Sequence, residues 1–148
     1  MTRPPHILLV ESLYYTHIAA ELRRGAERAL AAVGATHERI AVPGAFEIPA
    51  AIGIAGRTSE RFDGFVALGC VIRGETTHYD HICAESARGL QDLAIRDGLA
   101  IGYGILTVEN EAQALARASP DGRDKGGEAV RACLAIVDLK RRLAGNGG

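Results

Sequence analysis

The segment Phe65-Val66-Ala67-Leu68-Gly69-Cys70-Val71-Ile72 limits what this chain can become more than any other. It carries no charge, does not alternate between polar and apolar residues, and contains β-branched and aromatic side chains. A strand with one wet face alternates, whereas a strand covered on both faces reads as an unbroken apolar run. The segment therefore predicts the central strand of a parallel sheet with helices on both sides.

Residues 7–10 form a shorter run of the same kind, and residues 36–42 and 99–106 read as two further strands. Stripes at helical spacing lie between them. From Thr16, expected as an N-cap, apolar Ile18, Leu22, Ala26, Ala29, Leu30 and Val33 share one face until Gly34 offers a stop. Pro43-Gly44 ends the second strand and a loop is expected at 45–47. Pro49 suits the first turn of a short helix through residue 55, because proline's missing N–H has no intrahelical partner there. After His78, the residues Ile82, Ser86, Ala87, Leu90, Leu93 and Ala94 form another stripe, with Gly98 past its end. Helices are expected at 109–118 and from about 127 to 143, parted by Ser119-Pro120-Asp121-Gly122, and a frayed tail from Gly145 onward.

Strands alternating with helices predict right-handed βαβ crossovers. The expected fold is α/β, a flavodoxin-like three-layer αβα sandwich around a four-stranded parallel sheet. Ligands of such sheets bind beyond the carboxyl ends of the strands, which gathers the loops at 11–15, 43–47, 73–78 and 107–110 on one rim.

A chain of 148 residues, 47% apolar and 24% charged, is expected to fold as one domain over residues 1–148. Its 17 Lys and Arg against 18 Asp and Glu leave a formal charge of −1, which provides no field for nucleic acid or an anionic membrane. Small molecules are the expected partners. The first apolar run is too short for a signal peptide or a membrane span, and Cys70, Cys83 and Cys133 lack a Cys-x-x-Cys pair. A reducing cytoplasm is the expected compartment.

Chemistry is sought on the rim. Gly74-Glu75-Thr76-Thr77-His78 follows the central strand; its backbone N–H groups could wrap an anion, or it could be a plain turn with capping threonines. His78, Asp80 and His81 raise the question of a metal, but the histidines are three apart and no third ligand is evident, so no metal is expected. Proton transfer suits a rim histidine better, since imidazole ordinarily titrates near neutral pH. Glu47, inside Pro43-Gly44-Ala45-Phe46-Glu47-Ile48-Pro49, either grips hydroxyl groups or caps a helix. In a chain with 5% aromatics and no Trp, Tyr14, Tyr15 and Tyr103 are expected at strand ends near the rim, where one could stack on a flat heterocycle or simply pack. Arg117, Arg123 and Lys125 surround the last interhelical break, as phosphate binders or as a solvated basic turn. Gly102-Tyr103-Gly104 lacks the rest of a dinucleotide fingerprint and no Walker loop is present, which disfavours nucleotide cofactors.

Four ordered stretches are together more specific than any one: residues 43–49, the run Gly69-Cys70-Val71-Ile72-Arg73-Gly74-Glu75-Thr76-Thr77-His78-Tyr79-Asp80, Gly104-Ile105-Leu106-Thr107-Val108-Glu109-Asn110, and Lys125-Gly126-Gly127-Glu128-Ala129. They resemble the 6,7-dimethyl-8-ribityllumazine synthases of riboflavin biosynthesis over nearly the whole chain. The resemblance implies an enzyme that joins 5-amino-6-(D-ribitylamino)uracil to 3,4-dihydroxy-2-butanone 4-phosphate, releasing phosphate and water, without metal or organic cofactor. It implies His78 as the acid/base residue and Tyr14 stacked on the pyrimidine. Ala45, Phe46 and Glu47 would hold the ribityl side, and Cys70, Val71 and Ile72 would offer backbone groups to the ring. Glu75 and Thr76 would form the phosphate loop. Tyr103 and Arg117 match positions that the family supplies from a neighbouring subunit, with Arg117 on the phosphate and Lys125 nearby. A homo-oligomer, at least a pentamer, with sites shared between adjacent subunits is therefore implied.

The likeness departs at Leu13, where many members carry arginine, at Tyr14 and Tyr103, where phenylalanine is more usual, and at Glu75, an acid beside a phosphate loop whose backbone N–H is then the binding group. Two rivals share the fold. A flavin- or lumazine-binding carrier would use the same pocket without turnover. A phosphorelay receiver needs an acidic cluster and an Asp after the third strand, where this chain has Gly69-Cys70-Val71.

Overall fold

The computed structural model describes residues 3–145, so the expected tail beyond Gly145 lies outside the described residues. In chain order the elements are β1 (His6–Ser12), α1 (Thr16–Ala32), β2 (Thr36–Val42), a 3-10 turn (Ala45–Glu47), α2 (Ile48–Thr58), β3 (Gly64–Ile72), α3 (His78–Asp97), β4 (Ile101–Val108), α4 (Glu111–Ala118) and α5 (Lys125–Leu143). The four strands are parallel and ordered β2-β1-β3-β4, with Ile7 opposite Gly64 and Phe65 opposite Ile101. This is the α/β three-layer, flavodoxin-like arrangement that the apolar runs predicted.

The missing alternation of β3 has a direct cause. Successive side chains of a strand point to opposite faces. Val66, Leu68 and Cys70 pack with Ile7 and Leu9 beneath α1, α4 and α5, while Phe65, Ala67 and Val71 pack with Leu8 and Val10 beneath α2 and α3. Both faces are therefore apolar. β2, at the sheet edge, is only half-buried or exposed along its length.

Helix ends follow local chemistry, with some corrections. α1 stops in a Schellman turn: Gly34 takes a positive φ of 72°, its N–H donates to Ala31 O at 3.2 Å, and the Ala35 N–H donates to Leu30 O at 3.0 Å. Thr16 is not the N-cap; Tyr15 holds that position without a side-chain cap, and Thr16 is the first helical residue. α4 starts two residues later than expected because the Asn110 side chain accepts from the Gln113 N–H at 2.9 Å, a cap that places Glu109 outside the helix. α5 starts earlier, at Lys125, with Asp124 in the left-handed region at φ 51° accepting from the Gly127 N–H. That start lies against α1 so closely that a Cβ on Gly126 would come 2.1 Å from Leu22 O. Among the described residues no helix is long and apolar enough to cross a membrane.

Candidate active site

The chain runs outward from β1 to β2 and then returns past β1 to β3, so the strand order reverses between β1 and β3 and a crevice opens beyond their carboxyl ends. A cavity of about 690 Å³ occupies it, within the usual range for a small-molecule site. Tyr14 and Tyr15 reach it from the end of β1, residues 43–47 from the end of β2, Cys70, Val71 and Ile72 from β3, and His78, His81 and Ile82 from the first turns of α3.

Each wall has a distinct character. Tyr14 stands at the mouth, 74% exposed, its ring edge-on to Tyr15 with centroids 4.9 Å apart. Phe46 is also exposed, so two aromatic side chains border the cavity and could meet a flat ligand. Glu47 is the residue before α2, yet its side chain makes no capping hydrogen bond, which leaves the carboxylate available to a ligand. Burial, followed by the charge of Glu111, pushes the Cys70 thiol up to about 12. A thiol held protonated is not a nucleophile near neutral pH, so Cys70 offers packing and backbone only. His78 is exposed and opens α3, and its backbone N–H donates to Thr76 Oγ1 at 3.3 Å.

Eight of the site residues that the resemblance implies thus share one cavity, Tyr14, Ala45, Phe46, Glu47, Cys70, Val71, Ile72 and His78, and Tyr15 joins them. Glu75 and Thr76 lie exposed in the adjoining β3–α3 loop without lining it. Arg117 and Lys125 are elsewhere within the chain: Arg117 Nη1 donates to Gln113 O at 3.2 Å on α4, and Lys125 Nζ donates to Glu128 at 3.0 Å on α5. Tyr103 needs a correction. It is not at a strand end near the rim but opposite Ala67 in the body of β4, half-buried on the α2–α3 face. His81 and Ile82 also line the cavity, and their spacing of three and four residues from His78 places them on the same helix face, a signal the sequence already carried. Among the described residues no three His, Cys, Asp or Glu side chains are grouped to hold a metal ion.

Comparison with known proteins bears on what such a cavity belongs to. A solved structure of a putative lipoprotein from Peptoclostridium difficile matches 89% of this chain and 98% of its own with a TM-score of 0.52 at 9% identity, a likeness of fold alone. The chain is 53% identical over 145 residues to 6,7-dimethyl-8-ribityllumazine synthase 1 of Rhizobium meliloti, covering 95% of each. It is 56% identical to the 6,7-dimethyl-8-ribityllumazine synthase of Sphingopyxis alaskensis, covering 93% of this chain and 96% of that one. The model of the 6,7-dimethyl-8-ribityllumazine synthase family matches residues 4–141. A cavity at the strand-order reversal, walled by the motifs of residues 43–49 and 69–80 and matched over nearly the full length, places this chain in the 6,7-dimethyl-8-ribityllumazine synthase family.

Proposed function

We propose that the chain condenses 5-amino-6-(D-ribitylamino)uracil with 3,4-dihydroxy-2-butanone 4-phosphate to 6,7-dimethyl-8-ribityllumazine, releasing phosphate and water, as a single-domain cytoplasmic enzyme that uses no metal or organic cofactor. The observation that carries this is His78 opening onto a cavity with aromatic lips at Tyr14 and Phe46 and an uncommitted carboxylate at Glu47. Imine formation expels one water, phosphate then leaves by elimination, and after tautomerisation ring closure joins the second amine to the remaining carbonyl carbon, whose oxygen leaves as a second water. Each step needs a proton moved and two reactants held together more than it needs an electrophile.

In this assignment Tyr14 stacks on the pyrimidine, and Ala45, Phe46 and Glu47 take the ribityl chain. Cys70, Val71 and Ile72 present strand-end backbone groups to the ring, and Glu75 and Thr76 take the phosphate through the loop N–H groups ahead of α3. Tyr103, Arg117 and Lys125, which do not line the cavity of their own chain, reach the cavity of the adjacent subunit in a homo-oligomer, at least a pentamer. His78 relays the protons.

The test is turnover of the two substrates followed by lumazine absorbance. His78→Ala is expected to lower kcat about 10²-fold or more with little change in substrate binding, the usual cost of losing a general acid/base. An unchanged rate removes His78 from that role, and tight riboflavin binding without turnover by the unaltered protein identifies a carrier instead.

A further inference from the structure

Arg73 lies outside the cavity and has no part in the mechanism above. Its backbone N–H donates to Val108 O at 2.9 Å, which puts it where β3 and β4 end side by side. From there its side chain meets three groups. Nε is 2.9 Å from Glu109, Nη1 is 3.7 Å from Asp80, and the guanidinium lies 4.4 Å over the Tyr79 ring. Tyr79 and Asp80 are the second and third residues of α3, whose first is His78. Glu109 is itself held: its backbone N–H donates to the Gln113 side chain at 2.8 Å, beside the Asn110 cap of α4. Arg73 therefore connects the first turn of α3 to the β4–α4 junction.

Tyr79, Ile82 and Cys83 at that helix start pack on the α2–α3 face, but the loop ahead of it has little else to hold it. Residues 73–78 are all exposed, Thr77 makes no side-chain cap to α3, and a Cβ on Gly74 would meet nothing within 4 Å. An uncapped helix start behind an exposed loop takes its direction from that packing and from whatever grips its polar side chains.

We infer that Arg73 is a positioning residue, clamping Tyr79 and Asp80 against Glu109 so that the helix start keeps His78 aimed into the cavity. The inference rests on His78 as the acid/base residue. Exposed ion pairs add little to global stability, so removing this one registers in turnover and not in unfolding. A small misplacement of a catalytic group, by contrast, is costly in rate.

The experiment compares Arg73→Met, Arg73→Lys, Glu109→Gln and His78→Ala, alone and with Arg73→Met added to His78→Ala. Arg88→Met, which removes a similarly exposed pair further along α3, is the control. Arg73→Met is expected to lower kcat about tenfold, with both KM values within about twofold and the thermal midpoint unchanged. Arg73→Lys recovers part of the loss, Glu109→Gln loses about threefold, and Arg88→Met loses nothing. In the His78→Ala background Arg73→Met costs nothing further, because there is no imidazole left to misplace. Wild-type kcat in both Arg73→Met and Glu109→Gln overturns the inference, as does a fall equally large with and without His78. If His78→Ala is slow and the Arg73 variants are not, Arg73 alone is wrongly assigned; if His78→Ala turns over normally, the reading of His78 fails as well.

Discussion

Cys70 and His78 share one cavity and have opposite chemical prospects. The thiol, pushed up to about 12 by burial, stays protonated, whereas the imidazole is exposed at a helix start. Cys70→Ala is accordingly expected to keep kcat within about threefold, and a much larger loss measured under saturating substrates would mean that the thiol takes part. Glu47 had two readings in the sequence, helix cap or hydroxyl binder, because both place an acid just before an apolar helix. Only the folded chain distinguishes them, since its side chain makes no cap bond. Glu47→Gln should raise KM for the ribityl substrate about tenfold, the scale of a charge-assisted hydrogen bond, with kcat little changed. Tyr103 shows the opposite limit. Its aromatic type suggested a rim position, but register with Ala67 places it mid-strand, and register depends on a partner strand that local sequence does not contain.

At the scale of elements, the buried strands were legible and their ends were not. β1 extends from His6 through Ser12, past the apolar run at 7–10, and includes Glu11, which is 3% exposed. The strand tolerates that acid because Arg23 of α1 and Arg39 of β2 each approach it to 3.4 Å, contacts across sequence separations that no local pattern reveals. α5 gives the sharpest test of packing. Gly102 of β4 faces it so closely that a Cβ would come 2.0 Å from Ala129 O. Neither backbone can yield without moving a whole helix or strand, so Gly102→Ala should cost about 1–3 kcal/mol, read as a lower urea midpoint with an unchanged m-value.

For the whole molecule, two carboxylates tie the amino-terminal end of the sheet and predict its acid limit. Hydrogen bonds from Arg61 and then His6 hold Glu38 below its ordinary 4.5, at about 2. Burial pushes Asp63 up, but Arg3, the His6 N–H and Arg141 outweigh it and leave its carboxyl below the usual range. A carboxylate lowered in the folded state stabilises it fully above the unfolded value and loses that contribution as pH falls through the folded one. The thermal midpoint should therefore fall between about pH 4.5 and pH 2, and removing Arg61 should flatten that fall. The shared-site proposal makes a second prediction. When His78→Ala chains, slow in turnover, and Arg117→Ala chains, raised in KM for the butanone phosphate, are assembled together at random, about one subunit junction in four pairs an intact His78 with an intact Arg117, so activity at low butanone phosphate should return to roughly that fraction. Mixed oligomers no more active than their parents would place both groups in one subunit's own site. What the sequence determined by itself was the order and type of the elements and, through its motifs, the family. A short unbroken apolar run must be covered on both faces, its β-branched and aromatic content favours a strand, and periodicity and composition are local properties of the chain. What only the tertiary structure decided was which residues meet: that residues 14, 46, 47, 70 and 78 share a cavity while 103, 117 and 125 do not, and that Arg73 grips the turn beside His78. The cavity walls and the Arg73–Glu109 pair join segments far apart along the chain, and the strand order that brings them together is a property of the sheet as a whole.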